Sequence, residues 1–495
     1  MTSRRPLSED IWELVSGGPS APQGASVADI THTEDTELQH ARHRRTTGII
    51  ADLLIPGKGE PLHDQAVVAH NGKIEHIGPS NDIPSGYSRV EFQHVAILMP
   101  GMWECHAHFM GADPAKPINS ENMAFANPTV AGARNVRALK DTLHAGVTSC
   151  VDLGGYAPEL QKVIDEKIIL GPSLYGTGGA LSQTAGHGDV FEYVSCACHR
   201  FLARADTLFR VPLGSAWQKL SVNAPGTEVG SVPLLMCDGI DECRKAVRIN
   251  IRRGARVIKV LTSGGATSRD DNPMYQQFSD EELAVIVSEA RRMGLVCAAH
   301  AIGKAGIMAA IRAGFKVIEH NSYADDEVLK AMKDNDVMLV ATMSPIQSII
   351  DNQDSYPKPM VDKVKAFYET HKKMYRSAVK AGVKCALGSD LFGGIGTVLS
   401  PGLNGKEVPY AVKYGGMTPL QAIEAATANG PYTLGSEQAP RSGQIREGFD
   451  ADFIALRQNP LDDIEILSSP KNIRYIWKAG KLVKAPGLDP WEVLN

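Results

Sequence analysis

The sequence predicts an α/β protein: a (β/α)8 TIM barrel with a second, discontinuous β-sandwich domain built from N- and C-terminal segments. Three observations lead there. Between residues 98 and 435, eight apolar strand-like runs alternate with helical patterns, and each run ends in polar or Gly-rich sequence. Short alternating strands separated by Gly, Pro and Asn-Gly turns fill residues 46–97, and the same texture returns over 436–495. Neither end has enough strands to bury a face alone, so the two should pair into one domain.

The composition narrows the class. The 495 residues suit a large barrel plus an accessory domain. A net charge of −5 offers no basic footprint for nucleic acid or an anionic membrane. No apolar run approaches the ~20 residues of a membrane span, and the start Met1-Thr-Ser-Arg-Arg-Pro lacks a signal-peptide core. Eight cysteines over this length make no disulfide framework. Their one cluster, Cys196-x-Cys198-His199, lacks the second half of a zinc site. A reduced cytoplasmic setting is the expectation, and it does not exclude secretion.

In chain order, residues 1–45 are rich in Ser, Pro, Gly and charge. They read as a flexible or oligomer-contacting arm. In the first β segment, Asn71-Gly72 marks a hairpin, and Ala479-Gly480 marks another near the C-terminus. The barrel runs are Ile97 to His108, Ser149 to Gly154, Ser173 to Gly179 and Val257 to Ser263. They continue with Val296 to His300, Val317 to His320, Met338 to Thr342 and Lys384 to Asp390. Helices between them include 241–253 and 279–293, the second opening on Ser279-Asp-Glu-Glu, a capping box. The connection from Asp189 to Met236 is far longer than usual and carries Phe191, Tyr193, Phe201, Phe209 and Trp217. A Gly-rich stretch, Leu391-Phe-Gly-Gly-Ile-Gly, follows Asp390. An open doubly wound sheet would place a Gly-rich phosphate loop after its first strand. Here that position holds His106-Ala-His108.

Chemistry gathers at the strand ends. His106 and His108, at i and i+2, face one side of a strand. The fourth run carries Lys259, and His300, His320 and Asp390 close the fifth, sixth and eighth. A lone histidine at such a place is usually structural. Five strand ends carrying metal-compatible groups together point to a metal site at the barrel mouth. Lys259, inside Arg-Val-Ile-Lys-Val, would be desolvated and pushed towards its neutral form.

This order, with a sheet domain made from both termini, resembles the amidohydrolase superfamily. Lys259-Val-x-x-Ser-Gly-Gly, His320-Asn-Ser-Tyr-Ala-Asp, Gly415-Gly-Met-Thr-Pro-Leu-Gln-Ala-Ile and Glu447-Gly-Phe-Asp-Ala-Asp resemble its Xaa-Pro dipeptidase and carboxypeptidase branch. Arg252-Arg-Gly-Ala-Arg-Val-Ile-Lys-Val, Ser268-Arg-Asp-Asp-Asn-Pro and Gly303-Lys-Ala-Gly-Ile-Met-Ala-Ala-Ile are most similar to the ochratoxinase-like enzymes of fungi. The resemblance implies two divalent metal ions, zinc before manganese or cobalt, and carbon dioxide held as a carbamate on Lys259. It assigns His106, His108, Lys259 and Asp390 to one ion, and Lys259, His300 and His320 to the other. A hydroxide between the ions would attack the scissile carbonyl, with Asp390 moving the proton to the leaving amine. Tyr323 is the expected oxyanion donor, and His187 or Arg269 the partner of a substrate carboxylate. The implied substrate is an N-acyl amino acid such as an aryl-acyl phenylalanine, with an Xaa-Pro or Xaa-Lys/Arg dipeptide as the alternative. A deaminase fits less well, because Ala301-Ile-Gly follows His300 where a glutamate is usual and the lysine is present. A non-catalytic assembly module would have lost ligands, and none is lost. The resemblance also implies a homo-oligomer, a dimer or larger, up to an octamer.

Overall fold

The structure is a computed structural model, and it describes residues 46–115, 128–189, 234–268 and 271–488. The N-terminal arm, most of the long connection, Cys196, Cys198, His199 and Arg269 lie outside the described residues. The chain divides at Thr46 into two units, and the account below concerns the one that starts at Thr47.

Four strands open the chain: β1 (Thr46–Leu54), β2 (Leu62–His70), β3 (Lys73–Pro79) and β4 (Phe92–Pro100). The β2–β3 hairpin turns on Asn71 and Gly72, both at positive φ (50° and 80°), the turn that matches the twist of its strands. Next come β5 (Met102–Ala107), α1 (Pro128–His144), β6 (Val147–Asp152), α2 (Ala157–Asp165), β7 (Ser173–Gly176), β8 (Ala180–Ser182) and β9 (Leu234–Met236). Regular alternation follows: α3 (Gly239–Arg253), β10 (Ile258–Leu261), α4 (Asp280–Arg291), β11 (Cys297–Ala301), α5 (Lys304–Ala313), β12 (Val317–His320), α6 (Asp326–Asp334) and β13 (Met338–Val340). Then come α7 (Met343–Asp351), α8 (Lys358–Lys380), α9 (Glu407–Lys413), α10 (Pro419–Ala426), and finally β14 (Phe453–Leu456), β15 (Ile473–Lys478) and β16 (Lys481–Lys484). Helix α4 opens on the capping box read in the sequence, with Ser279 and Glu282 each accepting the other's backbone N–H.

The two chain ends form one seven-stranded mixed sheet, in the order β16-β15-β14-β4-β1-β2-β3. Strand β14 is the seam, antiparallel to β4 with Phe453 opposite Pro100. Ile49, Leu54, Leu98, Phe453 and Trp477 form the core of this sheet.

The central strands are all parallel, in a three-stranded sheet β5-β6-β7 and a six-stranded sheet β13-β12-β11-β10-β8-β9. Residues 384–391 bridge them: Cys385 pairs with Leu339 of β13, and Leu391 with Ala107 of β5. Both sheets contribute to one apolar cluster, with Trp103, Cys105 and Val151 from one and Val257, Ala298, Val317 and Met338 from along the other.

The structure revises three strand readings. The eighth run, Lys384 to Asp390, forms no strand and pairs only through single bridges at Cys385 and, just past its end, Leu391. The run from Ile97 to His108 is two strands, split at Gly101, where any Cβ would fall 2.2 Å from the Thr148 side chain. Glycine lets the chain pass from one sheet to the other at that contact. The third run holds only β7, beside β6. Strand β8 begins just past its end, at Ala180, and lies between β10 and β9, so β8 and β9 are strands the eight runs did not include.

Candidate metal centre

Alternation along β5 turns Trp103 and Cys105 inward, so Ala107 would follow them. The register between β5 and β6 slips between Glu104 and Ala107, where three residues on β5 span two on β6. This bulge reverses the faces, and His106 and His108 line the cavity instead. On β10 and β11 simple alternation suffices, carrying Val257 to Lys259 and Ala298 to His300. On β12, His320 enters through a left-handed backbone, φ 67°. Thr342, just past β13, and Asp390, in the bridging run 384–391, have the same left-handed backbone, at φ 55° and 48°. Left-handed non-glycine residues gathered in one place mark a site held in shape by its surroundings.

These turns bring the six sequence-predicted donors together. Asp390 Oδ1 lies 3.2 Å from His108 Nε2 and 3.5 Å from His106 Nε2. Lys259 Nζ is 3.5 Å from His106 Nε2. The His106–His320 and His300–His320 ring centres are 5.2 and 4.6 Å apart. His106, His320 and Asp390 offer ligand atoms within 4.8 Å of one another, so donors from both sides of the cavity stand within reach of a bound cation.

Each ring is oriented by the nitrogen it does not turn inward. Nδ1 of His106 meets Glu319 Oε2 at 2.8 Å, that of His108 meets Gly154 O at 3.1 Å, and that of His320 meets Thr342 Oγ1 at 2.6 Å. His300 is reversed: its Nε2 meets Gly264 O at 3.2 Å, which leaves Nδ1 for the site.

The electrostatics suit a cation. Burial, seconded by neighbouring cationic groups, holds His106, His300 and His320 well below the usual histidine range. Burial likewise lowers Lys259, against the pull of Glu319 and Asp390. For Asp390 burial works the other way, but His106, His108 and Lys259 outweigh it and keep the carboxyl low. His108 goes the other way: burial would lower it, but its hydrogen bond to Asp390 and that carboxylate's charge raise it. The three lowered imidazoles, an ionised carboxylate and a lysine pushed towards its free amine are the states that metal ligation requires. Burial raises Glu319 to about 8, so its contact with His106 is a hydrogen bond between neutral groups.

Glu104 and Glu319 were not picked out from the sequence. Glu104 accepts from His106 N and Ser389 N, both at 2.8 Å, and from Asn404 Nδ2 at 2.7 Å. It thereby ties the bulge that aims His106 to the residue before Asp390. A signal was present: an acid inside the apolar run Met102-Trp-Glu-Cys needs a buried partner.

His187 lines the cavity, its ring stacked on His300 at 4.4 Å. Tyr323 is not among the lining residues; its ring meets Phe367, which is, edge to face at 6.5 Å. The opposite wall is apolar, with Pro345, Ile346 and Ile349 from α7, Val364 and Phe367 from α8, and Phe392.

Parallel α/β sheets with buried, cation-competent donors gathered at one end form a candidate metal centre of an enzyme. Comparison with known proteins makes this particular. The Amidohydrolase family model matches residues 97–483. Ochratoxinase of Aspergillus niger is 46% identical over 451 residues, covering 90% of this chain and 88% of the relative. Its crystal structure superposes with a TM-score of 0.79 at 45% identity, over 90% of this chain and 97% of that one. A prolidase solved with N-methylphosphonate-L-proline gives 0.74 at 26% identity, over 89% and 100%. The chain belongs to the amidohydrolase family, and it is a hydrolase of amide bonds.

Proposed function

We propose that the chain is a binuclear metal-dependent amidohydrolase cleaving an amide next to a free carboxylate, as in an aryl-acyl phenylalanine. One observation carries this reading: the six donors read in the sequence line one buried cavity whose far wall is apolar. His106, His108 and Asp390 would hold one ion, zinc by donor type, and His300 and His320 the other. Lys259, as its carbamate with carbon dioxide, would serve both. Ions so held would supply Lewis acidity, lowering the pKa of water and polarising a carbonyl. The protein's own groups do the rest. Asp390, ionised and 3.2 Å from His108, is placed to take a proton and return it to the leaving amine. The apolar wall excludes water and seats the acyl group. His187 takes the substrate carboxylate. Similarity to ochratoxinase supports an aryl-acyl amino acid; similarity to a prolidase favours, as second reading, an Xaa-Pro dipeptide.

The same reading includes a closed eight-stranded barrel over 98–435, a sheet domain from 46–97 and 436–495, and a homo-oligomer contacted by the arm 1–45. The bridges at Cys385 and Leu391 and the shared apolar cluster support closure. The test is a panel of N-acyl amino acids against Xaa-Pro and Xaa-Lys dipeptides, with bound metal measured. Aryl-acyl phenylalanine should be the best substrate and two ions should be bound. Turnover of dipeptides alone would favour the second reading, and full activity without metal would overturn both.

A further inference from the structure

The loop after β10 is gripped by a cation from another element. Lys363, on α8, directs its Nζ to the carbonyl oxygens of Ser268 (2.8 Å), Asp271 (2.9 Å) and Gly265 (3.1 Å), and to Asp271 Oδ1 at 3.0 Å. The Asp271 carboxylate also accepts from Gly265 N at 2.8 Å and from the Ser268 hydroxyl. Ser268 Oγ in turn lies 2.8 Å from His187 Nδ1, and Asp271 Oδ2 lies 3.4 Å from the same nitrogen. The direction of every bond is fixed by chemistry. An ammonium only donates and an ionised carboxylate only accepts. Ser268 therefore spends its one proton on Asp271, and its oxygen must accept from His187 Nδ1–H. Nδ1 is committed, and Nε2 is the ring nitrogen left for the cavity that His187 lines. The ring has no freedom to turn away. His300 stacks on it, and a Cβ on Gly265 would fall 2.0 Å from its Cε1. Only glycine at 265 leaves room for the imidazole.

We infer that Lys363 and Asp271 are positioning residues which, through Ser268 and the direct approach of the Asp271 carboxylate, fix the His187 ring and present its Nε2 to the substrate carboxylate. The inference rests on the proposed role of His187 and deepens it. It also links the two walls of the cavity. Lys363 precedes Val364 on the helix that forms the apolar side, so the acyl pocket and the polar contact are set by one element.

The test compares an N-acyl phenylalanine with its carboxamide on metal-loaded enzyme, measuring kcat and KM separately, together with metal content and thermal unfolding. His187→Gln should lower the preference for the acid by about 10-fold or more, the range of a charge-assisted hydrogen bond. Lys363→Met, Asp271→Asn and Ser268→Ala should each cause a similar loss, carried by KM for the acid, with both ions retained. Ser268→Ala leaves the Lys363–Asp271 pair in place and so keeps the test open if the other two fold poorly. Lys363→Arg, which keeps the cation, should recover part of the preference. Adding Lys363→Met to His187→Gln should cost nothing further. If His187→Gln alone erases the preference while the other three keep it, the positioning role fails and the role of His187 stands. If His187→Gln keeps the preference, both fail. Equal losses on acid and carboxamide in all three variants would reduce the clamp to a structural one and overturn the inference.

Discussion

Lys259 is the residue on which the binuclear reading turns. It is 2% exposed, and burial lowers its pKa against the pull of Glu319 and Asp390. An unmodified ammonium beside His106 would repel a cation rather than hold one. The proposed carbamate would reverse the sign of the charge at that point. Lys259→Ala should then cost at least one ion and most activity, with the metal counted by elemental analysis of the dialysed protein. Bicarbonate, or a short carboxylic acid small enough for the gap, should restore part of both. Two retained ions with undiminished turnover would remove the lysine from the site. That Lys259 is buried beside the cavity could be read from the sequence, because a lysine in an apolar run has few other fates. The partners that set its environment could not. Glu319 precedes a predicted ligand by one residue; alternation from Val317 turns it inward, and His320 joins it on that side only through a left-handed backbone, which sequence periodicity does not announce.

Among the elements, β5 and the bridging run 384–391 carry the design. Glu104 joins them, accepting from the backbone of His106 and Ser389 and from the side chains of Ser389 and Asn404. Burial raises its pKa to about 7 in spite of these bonds. In Glu104→Gln one acceptor oxygen becomes an NH2 facing a donor, so a buried group is left without a partner. The cost should be about 1–3 kcal/mol in chemical denaturation. Because His106 and Asp390 both hang from this joint, affinity for the first metal should weaken in parallel. A variant of unchanged stability and metal affinity would show that the joint carries no load. Strand ends and helices between them were legible, since local periodicity and punctuation specify both. The bulge was not, because an extra residue on one strand is defined only against the spacing of its neighbour. The break at Gly101 escaped for the same reason: nothing within Ile97 to His108 announces the Thr148 side chain that sets it. Gly388 is a further example, its missing Cβ leaving 2.7 Å to the His106 backbone nitrogen, a contact between residues 282 positions apart.

Across the whole molecule, the seven-stranded sheet is clasped to the parallel sheets by pairs that join distant parts of the chain. The sequence announced the pairing of its ends through matching strand texture, but not the clasp. Lys484 on β16 donates from Nζ to the carbonyl oxygens of Pro470 (2.7 Å) and of His144, the last residue of α1 (2.9 Å). Burial and the nearby Lys484 and Lys140 push His144 down to about 4, against Asp141 and with Arg137 adding to the cationic surroundings. Its Nε2 is buried without a hydrogen-bond partner among the described residues. In the unfolded chain the same ring titrates near 6.5. Between those two values the unfolded state binds the extra proton, so stability must fall as the pH drops from about 6.5 towards 4 and level off below. His371 on α8, lowered to about 3 by burial, acts with the same sign over a wider window. The metal ligands add their own acid sensitivity, which a single pH curve would merge with the rest. Subtraction separates them. Denaturation midpoints of the unmodified protein and of His144→Gln, measured together from pH 7 to pH 4, share every contribution except that of His144. The substituted protein should lose less stability over this range, and the difference should open below about 6.5 and be complete near 4. Parallel curves would mean that His144 is as easily protonated in the fold as outside it, and that the clasp between α1 and β16 admits the charge.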